Sequence, residues 1–191
     1  MNELIYLSIS KTNPDFIEYL HDMPNLKSIN NYSKNIWVIQ INDMDLDDTL
    51  ETIKNLSDDF YVDVSIFPDS LFLTGNLLND LIYLLKDKKT GVFSLSNLLV
   101  DAVLLNDIKI ENDFRIFLEN KLSKDLIETG LVFIEQGNTI KAANSLYLHR
   151  NTLNYRLSVI KKSTSLDLKR FVDAFVFYGI MSSKFVQDEH R

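Results

Sequence analysis

Cysteine is absent from this 191-residue chain, glycine occurs five times, proline three times and tryptophan once. Without cysteine there is no disulfide, no thiolate nucleophile and no thiolate metal site, which fits a reducing, cytoplasmic setting. Five scattered glycines form no Walker loop, no G-x-S-x-G elbow and no dinucleotide fingerprint, each of which needs glycine where backbone must approach a phosphate or turn sharply. No apolar run approaches the roughly 18 residues of a membrane span, and MNELIYLSIS has neither a basic start nor a long apolar core, so neither a spanning helix nor a signal peptide is expected. His21, His149 and His190 have no ligand-like partners in sequence, so no metal and no cofactor is expected. With no catalytic constellation in view, an enzyme is not expected either. What the chain does hold is 46% hydrophobic residues, enough for one domain or two small ones. Its frequent Asn, Ile and Lys fit an AT-rich bacterial source.

Charge is unevenly placed. The chain carries 20 Lys/Arg against 27 Asp/Glu, a net of −7, which by itself speaks against nucleic acid. Between Gln136 and Leu166, however, there is no Asp or Glu, while Lys141, Arg150, Arg156, Lys161 and Lys162 all fall there. Residues 138–191 hold nine basic and four acidic side chains, and residues 1–137 hold 11 and 23. Salt screens charges beyond about 8 Å at physiological strength, so such a segment can meet phosphates despite distant acids. The distribution points to nucleic acid where the total does not.

The same window carries a helix-turn-helix pattern. Gly137 is placed to end one helix, and Asn138 or Thr139 to accept from the free N–H groups of the next. A short helix is predicted to about Leu146, with Ala142-Ala143 where two helices cross closely and with Ile140 and Leu146 pointing into the core. Tyr147-Leu148-His149 makes the turn. A second helix starts near Arg150 or Asn151 and carries Leu153, Leu157 and Ile160 at i, i+4, i+7 as its buried stripe. Its opposite face presents Asn151, Asn154, Tyr155, Ser158 and Lys162, with Arg150 and Arg156 on the flanks. Amide, hydroxyl and guanidinium groups at the start of a helix match the patterned donors and acceptors of the major groove. The candidate DNA-binding residues are Thr139, Lys141, His149, Arg150, Asn151, Thr152, Asn154, Tyr155, Arg156, Ser158 and Lys162. Among them, His149 caps the second helix, donates to a phosphate or simply packs in the turn, Tyr155 stacks on a sugar or packs on its neighbours, and Arg156 could instead pair with Glu135.

His149-Arg150-Asn151-Thr152-Leu153-Asn154-Tyr155-Arg156-Leu157, preceded by Gly137-Asn138 and Ala142-Ala143 and followed by Ile160 and Thr164-Ser165-Leu166-Asp167-Leu168, resembles the C-terminal helix-turn-helix of the PucR/CdaR type of bacterial transcription regulators. The resemblance is clear from about Leu122 to Met181 and fainter back to about Leu95; the core is also similar to the DNA-binding end of Fis-like proteins. It implies sequence-specific DNA binding through the helix opened by Arg150. Members of that family usually carry a long N-terminal sensor domain, for which this chain has no room, so a shortened N-terminal region is expected.

Three parts are expected: an α+β module over residues 1–70, a helical connector over 71–121 and a DNA-binding domain over 122–186. Residues 4–10 read as a strand, Asn13-Pro14 opens a helix to His21, residues 26–30 and 35–41 form a hairpin around Asn31-Tyr32-Ser33-Lys34, Asp45 to Leu56 is a helix, and Tyr61 to Phe67 a last strand before Pro68. The order βαββαβ suggests a small open sheet with both helices on one face, ferredoxin-like or GGDEF-like, so the fold class is α+β with an all-α C-terminal region. The GGDEF signature itself is missing, Asn30-Asn31-Tyr32-Ser33 standing at the hairpin. Asp43, Asp45, Asp47 and Asp48 alternate as in a calcium loop, but Asp48 and Lys54 stand where glycine and glutamate are needed, so they read as acids at a helix start. From Leu71 onward no further strand is expected. Leu77, Leu78, Leu81, Leu84 and Leu85 mark a helix ending in Lys86-Lys88-Lys89 before Gly91, Ser94 or Ser96 caps Asn97–Leu105, another helix spans Asn112–Asn120, Ser123 caps a helix to Gln136, and Leu168–Val186 closes the chain.

Two functions follow: a dimeric, DNA-binding transcription regulator, because one recognition helix covers only a half-site, or a non-enzymatic interaction module whose helix-turn-helix is degenerate. The expected partners are double-stranded DNA and a second copy, with no membrane; operator and effector are not specified by the sequence.

Overall fold

The computed structural model describes residues 2–11, 13–42 and 46–182. Strand β1 (Asn2–Ile9) sends Ile5, Leu7 and Ile9, all fully buried, to one face. Helix α1 (Pro14–His21) is started by Asn13, whose side chain accepts from the N–H groups of Asp15 at 3.0 Å and Phe16 at 3.3 Å, with proline at a position that needs no N–H. Strands β2 (Leu26–Ser33) and β3 (Ile36–Asn42) form the hairpin. Its turn is Lys34-Asn35, not Asn31–Lys34: Asn35 takes the left-handed φ of 65° that asparagine tolerates, so the chain reverses in two residues and Asn31 and Ser33 stay in the ladder. Helix α2 (Leu46–Asp59) follows; its expected start at Asp45, like Asp43 of the acidic run, lies outside the described residues.

Strand β4 (Val64–Asp69) starts three residues later than expected, because Tyr61 sits in a turn with φ 52°, and it runs through Pro68. Pro68 fits because it faces Ile5 of β1 while the ladder on the other side reaches only Ser65 and Ile66. The order β2-β3-β1-β4 is antiparallel throughout, the split topology of ferredoxin-like sheets. Phe16, Ile17 and Leu20 of α1 and Ile53 of α2 share one core with Ile5, Leu7, Ile39 and Ile41, so both helices cover the same face. The other face carries Tyr6 and Phe67, stacked with centroids 6.3 Å apart, and receives helix α3 (Gly75–Lys86), whose Asn79 accepts from Tyr32 as that ring meets Tyr6 edge-on. The buried Asp69 shapes the loop into α3 by accepting from the N–H groups of Leu71 at 3.1 Å and Leu73 at 2.8 Å; burial holds its carboxyl above the usual range. A strand does occur after Leu71: β5 (Gly91–Val92) pairs in parallel with β4. Two residues are too few to leave an alternating pattern.

These elements form one compact unit, Met1–Ser94, and the rest forms a second, Leu95–Arg191. Residues 71–94 thus pack with the sheet and residues 95–121 with the helices that follow. The second unit is all helical: α4 (Leu95–Leu105), α5 (Ile108–Lys121), α6 (Lys124–Gln136), α7 (Thr139–Ser145), α8 (Arg150–Thr164) and α9 (Phe171–Ser182). Asp107 rather than a residue near Asn112 starts α5, its side chain accepting from Ile110 N–H at 3.2 Å. Ser123 sits at the N-cap of α6 without a side-chain cap bond. Helix α9 begins at Phe171 instead of Leu168, because a turn closed by Arg170 N–H on Asp167 carbonyl at 2.7 Å precedes it; the expected continuation over 183–186 lies outside the described residues.

Helix α9 buries Val176, Phe177, Ile180 and Met181 against α4, α5 and α6. At Gly130 of α6 an added Cβ would stand 2.8 Å from the fully buried Phe177 ring, so only glycine permits this approach of α6 and α9. Asp173 of α9, also buried, accepts from the Ser96 hydroxyl and from Asp167 N–H at 2.8 Å. Ser96 lies inside α4 rather than capping it, and its hydroxyl locks α4 to α9. A buried carboxylate is tolerable here because both oxygens have donors.

Candidate nucleic-acid interface

Helices α7 and α8 form the helix-turn-helix on a floor made by α5 and α6. Gly137, with φ 60°, ends α6 in the left-handed conformation, and Asn138 starts α7 by accepting from Ile140 N–H at 2.8 Å and Lys141 N–H at 3.2 Å. Ala142 and Ala143 are buried where α7 meets α6 and α8, as their size requires. Leu146 is half-buried, but Ile140 is 61% exposed and does not enter the core. The reason is phase: at 100° per residue, Ile140 lies about 200° round the helix from Ala142.

His149 caps α8 through Nδ1, which accepts from Asn151 N–H at 3.2 Å and so leaves Nε2 pointing elsewhere. Leu153, Leu157 and Ile160 are buried, joined by Thr164, whose hydroxyl donates to the Ile160 carbonyl at 2.8 Å. On the other side Lys141, His149, Arg150, Asn151, Thr152, Asn154, Ser158 and Lys162 are exposed, as is Tyr155 at 68%, while Thr139 at the start of α7 is half-buried. Ser158 donates to the Tyr155 carbonyl at 2.7 Å, which fixes its oxygen as an acceptor toward solvent.

Arg156 is placed differently from the others. Its Nη1 donates to Thr129 Oγ1 at 3.0 Å and its Nη2 stands 3.9 Å from Asp125, both on α6, while Thr129 passes its own proton to the Asp125 carbonyl at 2.6 Å. The pairing with Glu135 is not formed; Glu135 instead accepts from Tyr178 of α9 at 3.3 Å, and that carboxylate raises the Tyr178 phenol above its usual value. The C-terminal end of α8 is tied in the same manner: Lys161 donates to Asp167 at 2.9 Å and holds that carboxyl below the usual range, so this lysine is engaged within the protein. Thr129 and Asp125 left no sequence signal, because each pairs with a residue about 30 positions away that only folding brings near.

A buried stripe of Leu153, Leu157 and Ile160, an exposed polar face and a capped N-terminus make α8 an amphipathic helix with its polar side outward. Residues 126–179 match the model of the PucR C-terminal helix-turn-helix domain. Over this segment the chain is similar to the PucR family. Helices α6 to α9 supply the PucR-type segment. A solved crystal structure described as the regulator of polyketide synthase expression from Bifidobacterium adolescentis is similar over 98% of this chain and 81% of its own, with 17% identity and a TM-score of 0.48. No curated protein matches the chain. Among the described residues no helix is long and apolar enough to cross a membrane.

Proposed function

We propose that the chain is a sequence-specific, DNA-binding transcription regulator with α8 as its recognition helix. One observation carries this reading: the outward face of α8 gathers Arg150, Asn151, Asn154, Ser158 and Lys162 in a stretch with no acid between Gln136 and Leu166. Arg150, Asn151 and Asn154 are the base readers, since guanidinium and carboxamide groups form paired hydrogen bonds with guanine and adenine edges. Thr139, Lys141, Thr152, Tyr155, Ser158 and Lys162 set the register on the backbone, and His149 offers Nε2 to a phosphate after capping the helix with Nδ1. Arg156 holds α8 on α6 and turns its remaining donors toward the edge of the duplex. Selection of bound fragments from random DNA, followed by a salt titration, tests the proposal. With Lys141, Arg156 and Lys162 neutralising about three phosphates, the log–log slope is expected near about −3 for each copy. Failure to retain any duplex at low salt would favour the interaction module with a degenerate helix-turn-helix. The reading contains no enzymatic step and places the protein in the cytoplasm, where its DNA is.

The working form is a homodimer. One helix-turn-helix reaches only about 10⁻⁴–10⁻⁶ M on nonspecific DNA at physiological salt, and two recognition helices roughly 34 Å apart are needed to read two half-sites. The surface offered to the second copy lies on α9 and α6: Phe171 is 82% exposed, stacks on Phe175 with centroids 6.2 Å apart, and borders a groove of about 470 Å³ lined also by Phe133, Ile134, Leu168 and Tyr178. Phe171→Glu, at a position outside the core, is expected to give a folded monomer by light scattering at micromolar concentration. A folded variant that stays dimeric moves the interface elsewhere.

A further inference from the structure

Helices α6 and α7 end in the same backbone conformation with very different residues. Gly137 closes α6 with φ 60°, whereas α7 is closed by Tyr147 with φ 54°. There the Leu148 N–H donates to the Ala143 carbonyl at 2.8 Å and the Tyr147 N–H to the Asn144 carbonyl at 3.1 Å. This doubly bonded helix end ordinarily takes glycine at its left-handed residue, because a Cβ crowds the following carbonyl. A bulky residue in that conformation is uncommon. Packing does not account for the tyrosine, which is 97% exposed in the free protein. It also stands two residues before the capping His149 and three before Arg150, within the stretch that holds no acid. Strained backbone kept for an exposed side chain is a feature of sites that meet a ligand.

Resting on the DNA-binding reading above, we propose that Tyr147 is a backbone clamp of the α7–α8 turn: its hydroxyl donates to a phosphate oxygen while its ring lies against the adjoining deoxyribose. Contacts of this kind fix the protein's register on the duplex and carry no base information. A neutral donor also displaces no counterion, which separates it from the lysines and arginines in a salt titration.

Tyr61 provides an internal control, since it too is left-handed, with φ 52°, and 96% exposed, but it follows α2 in the other unit. The experiment uses the full chain, a DNA fragment selected by the parent protein, and the variants Tyr147→Gly, Tyr147→Phe and Tyr61→Gly. Both glycine variants are expected to raise the thermal midpoint by relieving the backbone. Tyr147→Gly is expected to weaken binding about tenfold, the loss of a hydrogen bond to a charged group plus the ring contact. Tyr147→Phe is expected to lose several-fold with an unchanged salt slope, and Tyr61→Gly to bind as the parent does. A Tyr147→Gly protein that binds as tightly as the parent, or that is less stable than it, overturns the clamp alone, as does an equal loss in Tyr61→Gly. A parent that retains no DNA at low salt overturns the DNA-binding reading and the clamp together.

Discussion

Replacing Leu157 with alanine is expected to cost about 2–5 kcal/mol of folding stability, because the truncation leaves a cavity under α8 that its neighbours cannot close. Leu157 is 6% exposed, between the fully buried Leu153 and Ile160 on the one apolar stripe that holds α8 to α5, α6 and α7. Nothing on the outward face can compensate, since that face is polar from Asn151 to Lys162. Urea unfolding of parent and variant, with equal m-values, measures the difference. A loss below about 1 kcal/mol is outside the range for a buried leucine and would show that α8 is not seated as described. DNA affinity should fall only as the folded fraction falls, and recover at temperatures where the variant is folded.

Arg150→Ala is expected to do the opposite, leaving the thermal midpoint nearly unchanged while lowering affinity for a selected site by about 1–3 kcal/mol, roughly five- to 150-fold. The residue is exposed, opens α8, and lies off the buried stripe, while the cap that starts the helix comes from His149 and stays in place. If Arg150 reads a base, its loss also relaxes preference at one position of the site; if it meets only phosphate, affinity falls evenly across sequences. A folded variant with undiminished affinity would remove α8 from the role of recognition helix.

The elements legible in the sequence are those specified by neighbours a few residues apart. Asn13-Pro14, Gly137-Asn138 and the i, i+4, i+7 stripe of α8 each state a local backbone requirement, and each element formed where it was placed. The element order βαββαβ is legible in the sequence and leaves few ways to pair with short connections, and the structure selects β2-β3-β1-β4 among them. Errors arose where a local signal was weak or outvoted. The hydrophobicity of Ile140 points inward although its angle on α7 turns it to solvent, and β5 is too short to have a period. Asn31-Tyr32-Ser33 reads as loop by composition, whereas pairing with β3 keeps it extended and moves the hairpin turn to Lys34-Asn35.

Taken alone, the sequence determined where α1, α7 and α8 begin, which stripe of α8 is buried, and that one window of an acidic protein is basic and free of acids, since capping, periodicity and charge are properties of adjacent residues. Tertiary structure alone decided which polar groups remain outward. Arg156 and Lys161 belong to the same basic window as Arg150 and Lys162, yet folding brings Thr129 and Asp125 to the first and Asp167 to the second. It also decided that α6 and α9 meet at Gly130 and that Ser96 and Asp173 join across 77 positions. The Arg156, Gly130 and Ser96 contacts join distant parts of the chain, while Lys161 meets Asp167 six residues on only because α8 stops between them, and the free energy that selects the distant pairings exists only once the helices are packed together.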